Sequence, residues 1–312
     1  AETAHHRNKE VTLYRQGGIN IVVNTEKEGL AHSSYAVHGA NAYAVGLRVE
    51  DAAATVARAR ALGAQPFDQP GQSGDLTIPA IRGVGAGVIY FIDGKSDLGR
   101  VWEIEFDFVG ETAPEGVGLA SIDHVAQTMN YEEMLTWLLF YTSIFRTRKL
   151  PMVDVVDPGG LVRSQVIESD DGEHLRLTLN GAENRKTLAG HFIAESFGSS
   201  VQHLAFATPD IFRSAARLRE TGFAPLQISA NYYDDLEARF GLDPDLTDRL
   251  REGNILYDRD GSGEYFQLYS PNYGEGFFFE IVERRGGYGG YGAANAPFRI
   301  AAQKRTLTTA GS

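Results

Sequence analysis

Three short segments carry side chains able to converge on one metal ion. They are Ile122-Asp123-His124-Val125, Gln202-His203-Leu204-Ala205-Phe206 and Phe277-Phe278-Phe279-Glu280-Ile281. Each candidate ligand interrupts an apolar, strand-like run, where a buried polar group needs a partner. His124, His203 and Glu280 stand 79 and then 77 positions apart, so each falls at a comparable place in a repeating unit. Two imidazoles and one carboxylate make the facial ligand set of non-haem iron(II) enzymes, which leaves positions open for substrate and dioxygen. The three residues therefore predict one metal centre of that kind.

The elements that would carry them repeat along the chain. Ala42–Asp51 leads into Ala52–Leu62, then Gly63 and Pro66; 159 positions later Val201–Asp210 leads into Ile211–Thr221, then Gly222 and Pro225. In both copies a strand ends at an Asp able to cap a helix, and Gly closes that helix. Val101–Glu105 resembles Phe278–Val282, so both halves read as βαβββ modules whose last strand carries a Glu, Glu103 matching Glu280. Where the second copy has His203 the first has Ala44. The N-terminal half is therefore expected to be structural and to hold no metal.

Gly110–Gly118 is rich in Gly and Pro and marks the boundary between the halves. It divides the chain into an N-terminal half (1–112), a linker (113–118), a C-terminal half (119–305) and a tail without fixed structure (306–312). Beyond the first His, Asn130 opens a helix with Met134, Trp137, Leu138, Tyr141, Ile144 and Phe145 on one stripe. Leu161–Ile167 and Leu175–Asn180 alternate as strands, and the charge-rich Tyr232–Glu252 reads as an exposed helical stretch.

Composition narrows the function classes. A net charge of -12 and pI near 5.2 argue against nucleic acid or an anionic membrane surface as main partner. No apolar stretch approaches the ~18 residues of a membrane span, and Ala1–Val11 lacks the apolar core of a secretion signal. A cytoplasmic location is the expectation. With no Cys, metal ligands must be His and carboxylate.

The segments resemble, in order, the 4-hydroxyphenylpyruvate dioxygenase family of the vicinal-oxygen-chelate fold. The resemblance rests on His6–Gly17, Ile122-Asp123-His124, Gln202–Phe206, Asn231–Leu236, Phe278-Phe279-Glu280 and the glycine-rich Gly289–Asn295. It implies an α+β fold of tandem βαβββ modules in two open-barrel halves, the N-terminal half lacking its first strand and helix. It also implies Fe(II), or another divalent ion such as Mg2+ or Co2+, held by His124, His203 and Glu280. An aromatic 2-oxo acid and O2 would be the partners, with Ser164, Asn180, Gln202 and Gln267 as polar substrate contacts, in a homo-oligomer.

The chain departs from that pattern at Ala296, where the lid helix usually begins with an aromatic, and at Tyr269, where Phe is usual. Ile122–Trp137 and Tyr232–Leu246 resemble more closely the dioxygenase-like C-terminal half of fused bacterial 3-dehydroshikimate dehydratases, in which a TIM barrel precedes it. That likeness implies a metal-binding module of a dehydratase fusion, without dioxygenase activity of its own. The lid, Gly289–Arg299, is expected to bring Asn295 nearest the metal and to leave the pocket open beside Ala296 unless Phe298 fills it.

Overall fold

The structure, a computed structural model, describes residues 1–68, 74–111 and 116–310, the last four as backbone alone. Strands β1 (Glu2–His6), β2 (Val11–Gln16) and β3 (Ile19–Asn24) form an antiparallel meander. Helix α1 (Gly29–His38) leads to β4 (Ala44–Arg48), α2 (Ala52–Ala61), β5 (Ala80–Arg82) and β6 (Val88–Ile92). A short helix α3 (Val101–Glu105) and β7 (Phe106–Phe108) close this half. Its strands form two sheets, ordered β3-β2-β1-β7 and β4-β6-β5.

The C-terminal half opens with β8 (Ser121–Asn130) and α4 (Tyr131–Ile144), followed by β9 (Thr147–Lys149), β10 (Val153–Asp157), β11 (Gly160–Ser169), β12 (Arg176–Ala182) and α5 (Leu188–Glu195). Then come β13 (Ser200–Ala207), α6 (Ile211–Glu220), α7 (Ala230–Phe240), α8 (Pro244–Gly253), β14 (Leu256–Arg259), β15 (Gly263–Tyr269), β16 (Phe278–Gly286) and α9 (Ala296–Ala310). One sheet runs β10-β11-β12-β8-β13-β16-β15-β14, with β9 against β11. In each module the first strand pairs in parallel with the last, β8 with β12 and β13 with β16. The modules join through their first strands, β8 antiparallel to β13. This is the expected vicinal-oxygen-chelate architecture of tandem βαβββ modules.

The 159-residue repeat is visible in the backbone. Asp51 accepts a hydrogen bond from the Ala54 N–H and Asp210 from the Arg213 N–H, each capping a ten-residue helix. Gly63 and Gly222 follow those helices with φ of +89° and +85°, a region that L side chains enter at a cost.

Two local expectations are corrected. Val101–Glu105 is a helix, not a strand: Ser96 caps a 3₁₀ turn over Asp97–Arg100 that runs straight into it. Over five residues, an apolar-polar alternation fits one helical turn as well as a strand. The true counterpart of β16 is β6, which pairs in parallel with β4. Tyr90 pairs Gly46 where Glu280 pairs Ala205, so Glu103 is not the match of Glu280. The stretch 232–252 is also not simply exposed. Gly241 (φ +60°) breaks it into α7 and α8, and Tyr232, Tyr233, Leu236 and Leu250 are buried beneath the charged face.

The halves share a core. Phe91 and Leu98 from the first pack in one cluster with Met129, Tyr141 and Leu177 from the second. Arg58 of α2 donates to the carbonyls of Ser143 and Ile144 at the end of α4. Gly85 (φ +62°) sits so close to β13 that a Cβ there would overlap the Ser199 carbonyl. Residues 113–115 of the expected linker and 311–312 of the expected tail lie outside the described residues.

Candidate metal centre

His124, His203 and Glu280 come from three adjacent strands. Ala205 on the middle strand pairs with His124 on one side and with Glu280 on the other, and His203 lies two residues away on the same face. Ala205 is fully buried. Its single methyl leaves the floor low enough for three larger side chains to meet above it.

They meet in a nearly equilateral triangle. His124 Nε2 and His203 Nε2 are 3.2 Å apart, and each lies 3.3 Å from Glu280 Oε2. A divalent ion about 2.1 Å from each atom would see them about 100° apart, the span of one face of a coordination shell. Two imidazole nitrogens and a carboxylate oxygen, all buried, are a donor set suited to Fe(II), Co(II) or Zn(II).

Hydrogen bonds behind the triangle aim it. Asp123 accepts from Nδ1 of His124 at 2.8 Å, which leaves the Nε2 lone pair facing the centre. Asp123 is held in turn by Arg284, at 2.9 and 3.1 Å, and by Arg176 at 3.3 Å. On the other flank Gln267 Nε2 donates to Glu280 Oε1 at 2.9 Å and to the Tyr269 hydroxyl at 2.6 Å. Asn295 donates to Gln267 Oε1 and accepts from the Tyr232 hydroxyl, completing a chain from α7 to the carboxylate.

Electrostatics of the metal-free site follow from this wiring. Burial opposes a charge on His124, but the hydrogen bonds and charges of Asp123 and Glu280 outweigh it and raise its pKa to about 9. His203 has no such neighbour on Nδ1, and burial pulls it down to about 4. Glu280 is buried too, yet the two imidazoles hold it well below the usual carboxylate range. The proton thus sits on His124, where a cation would displace it.

A cavity opens directly over the triangle. Ser164, Asn180, Gln202 and Gln267 line it together with His124, His203 and Glu280, so all seven residues singled out in the sequence surround one space. Ser164 donates to Asn180 at 2.9 Å across β11 and β12, and Thr128 donates to Gln202 at 2.7 Å. Val155, Val162, Leu188 and Ile300 supply its apolar wall. The lid closes one side with Tyr291, Gly292, Ala293 and Ala296. Asn295 stands behind the wall, and Phe298 turns away to pack on Tyr232 at 4.7 Å between ring centres. Thr178, which the strand alternation puts on the face of Asn180, and Arg299, which had no role assigned, also line the cavity. Arg299 had a signal, a cation amid the apolar residues that open the closing helix.

The N-terminal half holds a second cluster that the sequence reading did not foresee, His6, Asp75 and Glu105. Its groups are engaged with the protein. Lys9 and Asn8 bind Asp75, and the Leu76 N–H binds Glu105. Nδ1 of His6 accepts from the Asn8 N–H, so a neutral ring carries its proton on Nε2, 3.4 Å from Glu105. To ligate through Nε2 the ring would have to move that proton to Nδ1 and give up the Asn8 bond.

Comparison with known proteins agrees with this fold. A family profile described as hydroxyphenylpyruvate dioxygenase, N-terminal, matches residues 1–109. The 4-hydroxyphenylpyruvate dioxygenase of Pseudomonas aeruginosa is 30% identical over 298 residues, covering 94% of this chain and 83% of that enzyme. The chain belongs to the 4-hydroxyphenylpyruvate dioxygenase family. Within the wider similarity, a 3-dehydroshikimate dehydratase of Pseudomonas putida is 40% identical over 311 residues, covering 99% of the chain and 49% of that protein. A solved xylose isomerase-like TIM barrel/4-hydroxyphenylpyruvate dioxygenase fusion protein superimposes with a TM-score of 0.83 at 40% identity, covering 98% of the chain and 48% of the fusion. This member of the dioxygenase family therefore spans about half the length of the dehydratase relative. Among the described residues no helix is long and apolar enough to cross a membrane.

Proposed function

We propose that His124, His203 and Glu280 hold a divalent ion, Fe(II) in the working enzyme, and that the chain is a dioxygenase acting on an aromatic 2-oxo acid. The single observation behind this reading is the triangle of three buried donors with sides of 3.2–3.3 Å facing a cavity. Bound there, the ion would supply Lewis acidity and a site where substrate and dioxygen meet. Gln267, anchored to Glu280, and the Ser164–Asn180 pair orient the substrate by hydrogen bonds, as does Gln202 from its place beside Thr128. Phe278, stacked 4.6 Å from the His203 ring, keeps water from that side. In this reading residues 1–112 are a structural half and 119–305 the metal-holding half.

A second reading has a specific observation in its favour. Relatives at 40% identity carry the name 3-dehydroshikimate dehydratase and are twice as long. On that basis the chain is the divalent-metal-binding, dioxygenase-like part of a bifunctional dehydratase. Anaerobic loading with Fe(II), followed by oxygen uptake with 4-hydroxyphenylpyruvate, separates the two. Uptake well above the metal-only control is expected for the dioxygenase. Stoichiometric metal without uptake would favour the second reading.

A further inference from the structure

Arg299 projects from α9 into the wall of the cavity. Its guanidinium lies 5.2 Å from the ring centre of Phe278 and 5.6 Å from that of Tyr269. Its one hydrogen-bond partner among the described residues is the neutral Gln303, at 2.6 Å, and no carboxylate pairs with it. The other two arginines near the centre are paired on the far side of His124, Arg284 with Asp123 and Arg176 with Asp123 and Glu168. Among the described residues, Arg299 therefore carries the one uncompensated side-chain charge at the cavity wall.

The charges at a loaded centre would not balance. A divalent ion on Glu280 and two neutral imidazoles leaves one positive charge, and Arg299 adds another. Charges facing a partly desolvated space are stable only when paired. A simple 2-oxo acid chelating the metal supplies one negative charge and leaves the guanidinium unanswered.

Arg299 lines the cavity on the same helix as Ala296. Ala296 presents only a methyl group there, and Phe298 packs elsewhere. A planar cation beside two rings is preorganised to hold a carboxylate by paired N–H donors.

Resting on the metal site of the reading above and not on its aromatic substrate, we infer that the natural ligand is a dianion, a 2-oxo acid whose side chain bears a second carboxylate held by Arg299. Arg299 is thus a specificity-determining residue. It sits one ring, that of Phe278, away from His203, which places the second carboxylate a few bonds from the chelating oxygens.

The test compares 2-oxoglutarate with 2-oxopentanoate, which share the chelating end and differ in the distal carboxylate. Both are titrated calorimetrically, without oxygen, into the full chain loaded with Co(II) and into the metal-free chain. Wild type should prefer the diacid by about tenfold or more, the worth of one charge-assisted hydrogen bond. Arg299→Leu should bring the two affinities together, and Arg299→Lys should keep part of the preference. Metal affinity, measured separately, should not fall in either variant, because Arg299 is no ligand and only adds like charge near the ion. Equal affinity of wild type for both probes, including no binding of either, overturns the proposal, as does a preference that survives in Arg299→Leu. Failure to take up Co(II) would sink the metal-site reading by itself, while the metal-free titration still reads the preference.

Discussion

At the scale of single residues, Asp123 decides which nitrogen of His124 is free. Its carboxylate fixes the proton on Nδ1, and Arg284 ties that carboxylate to the lid through the Gly290 carbonyl, 2.8 Å from Nη1. Asp123→Asn should weaken divalent-metal affinity by about 10–100-fold, as expected when a carboxylate partner of a ligating His is lost. Competition against a chromophoric chelator measures it, and an unchanged affinity would show that something else sets the tautomer. The three candidate ligands were legible because a His or Glu inside an apolar strand needs a reason to be there. Arg299 was not singled out, because whether it faces the cavity depends on how α9 lies against the rest.

At the scale of elements, the repeated strand-helix units were legible through their capping Asp and closing Gly. The helix α3 was misread because five residues carry too little periodicity to separate helix from strand. What a linear reading also missed is that α2 has a second, distant cap. Asp93, after β6, accepts from the Ala52 N–H at 2.9 Å and from the N–H groups of Lys95 and Ser96. The Ala52 bond leads the interactions that pull its pKa from 3.8 to about 2. A carboxylate depressed by folding stabilises the native state above its unfolded pKa and loses that contribution as pH falls through the folded value. Asp93→Asn should therefore be less stable than wild type at neutral pH, and the gap should close between about pH 4 and 2. Urea denaturation at a series of pH values tests this; a gap constant down to pH 2 would contradict it.

At the scale of the whole molecule, the sequence reads as two halves joined by a linker, yet they fold around a common core. That fusion was invisible because contacts such as Phe91 with Phe145, 6.0 Å between ring centres, join positions far apart in the chain. The halves should unfold together. The two Trp residues, Trp102 and Trp137, fall one in each half, so Trp102→Phe and Trp137→Phe variants report on each separately. Their fluorescence midpoints in urea should coincide. Gly85→Ala, which forces a side chain into positive φ and against β13, should lower both by the same amount, corresponding to a loss of more than about 1 kcal/mol of stability. Midpoints that separate would mean that the shared core is weaker than either half.

The register of the nine-stranded sheet explains the shape of the ligand set. Advancing by 79 positions carries His124 onto His203 and Ala126 onto Ala205. Ala205 pairs with Glu280, and Ala126 pairs with Thr178, so Thr178 holds in the first module the place that Glu280 holds in the second. Both line the same cavity. The pseudo-twofold axis between β8 and β13 thus offers four ligand places, and the chain fills them with two imidazoles, one carboxylate and one neutral hydroxyl. The bare side of the triangle is the mark of two copies that parted at one position. It also fixes the direction of approach, from the β12 flank, where Asn180 and Ser164 stand ready to receive an incoming molecule.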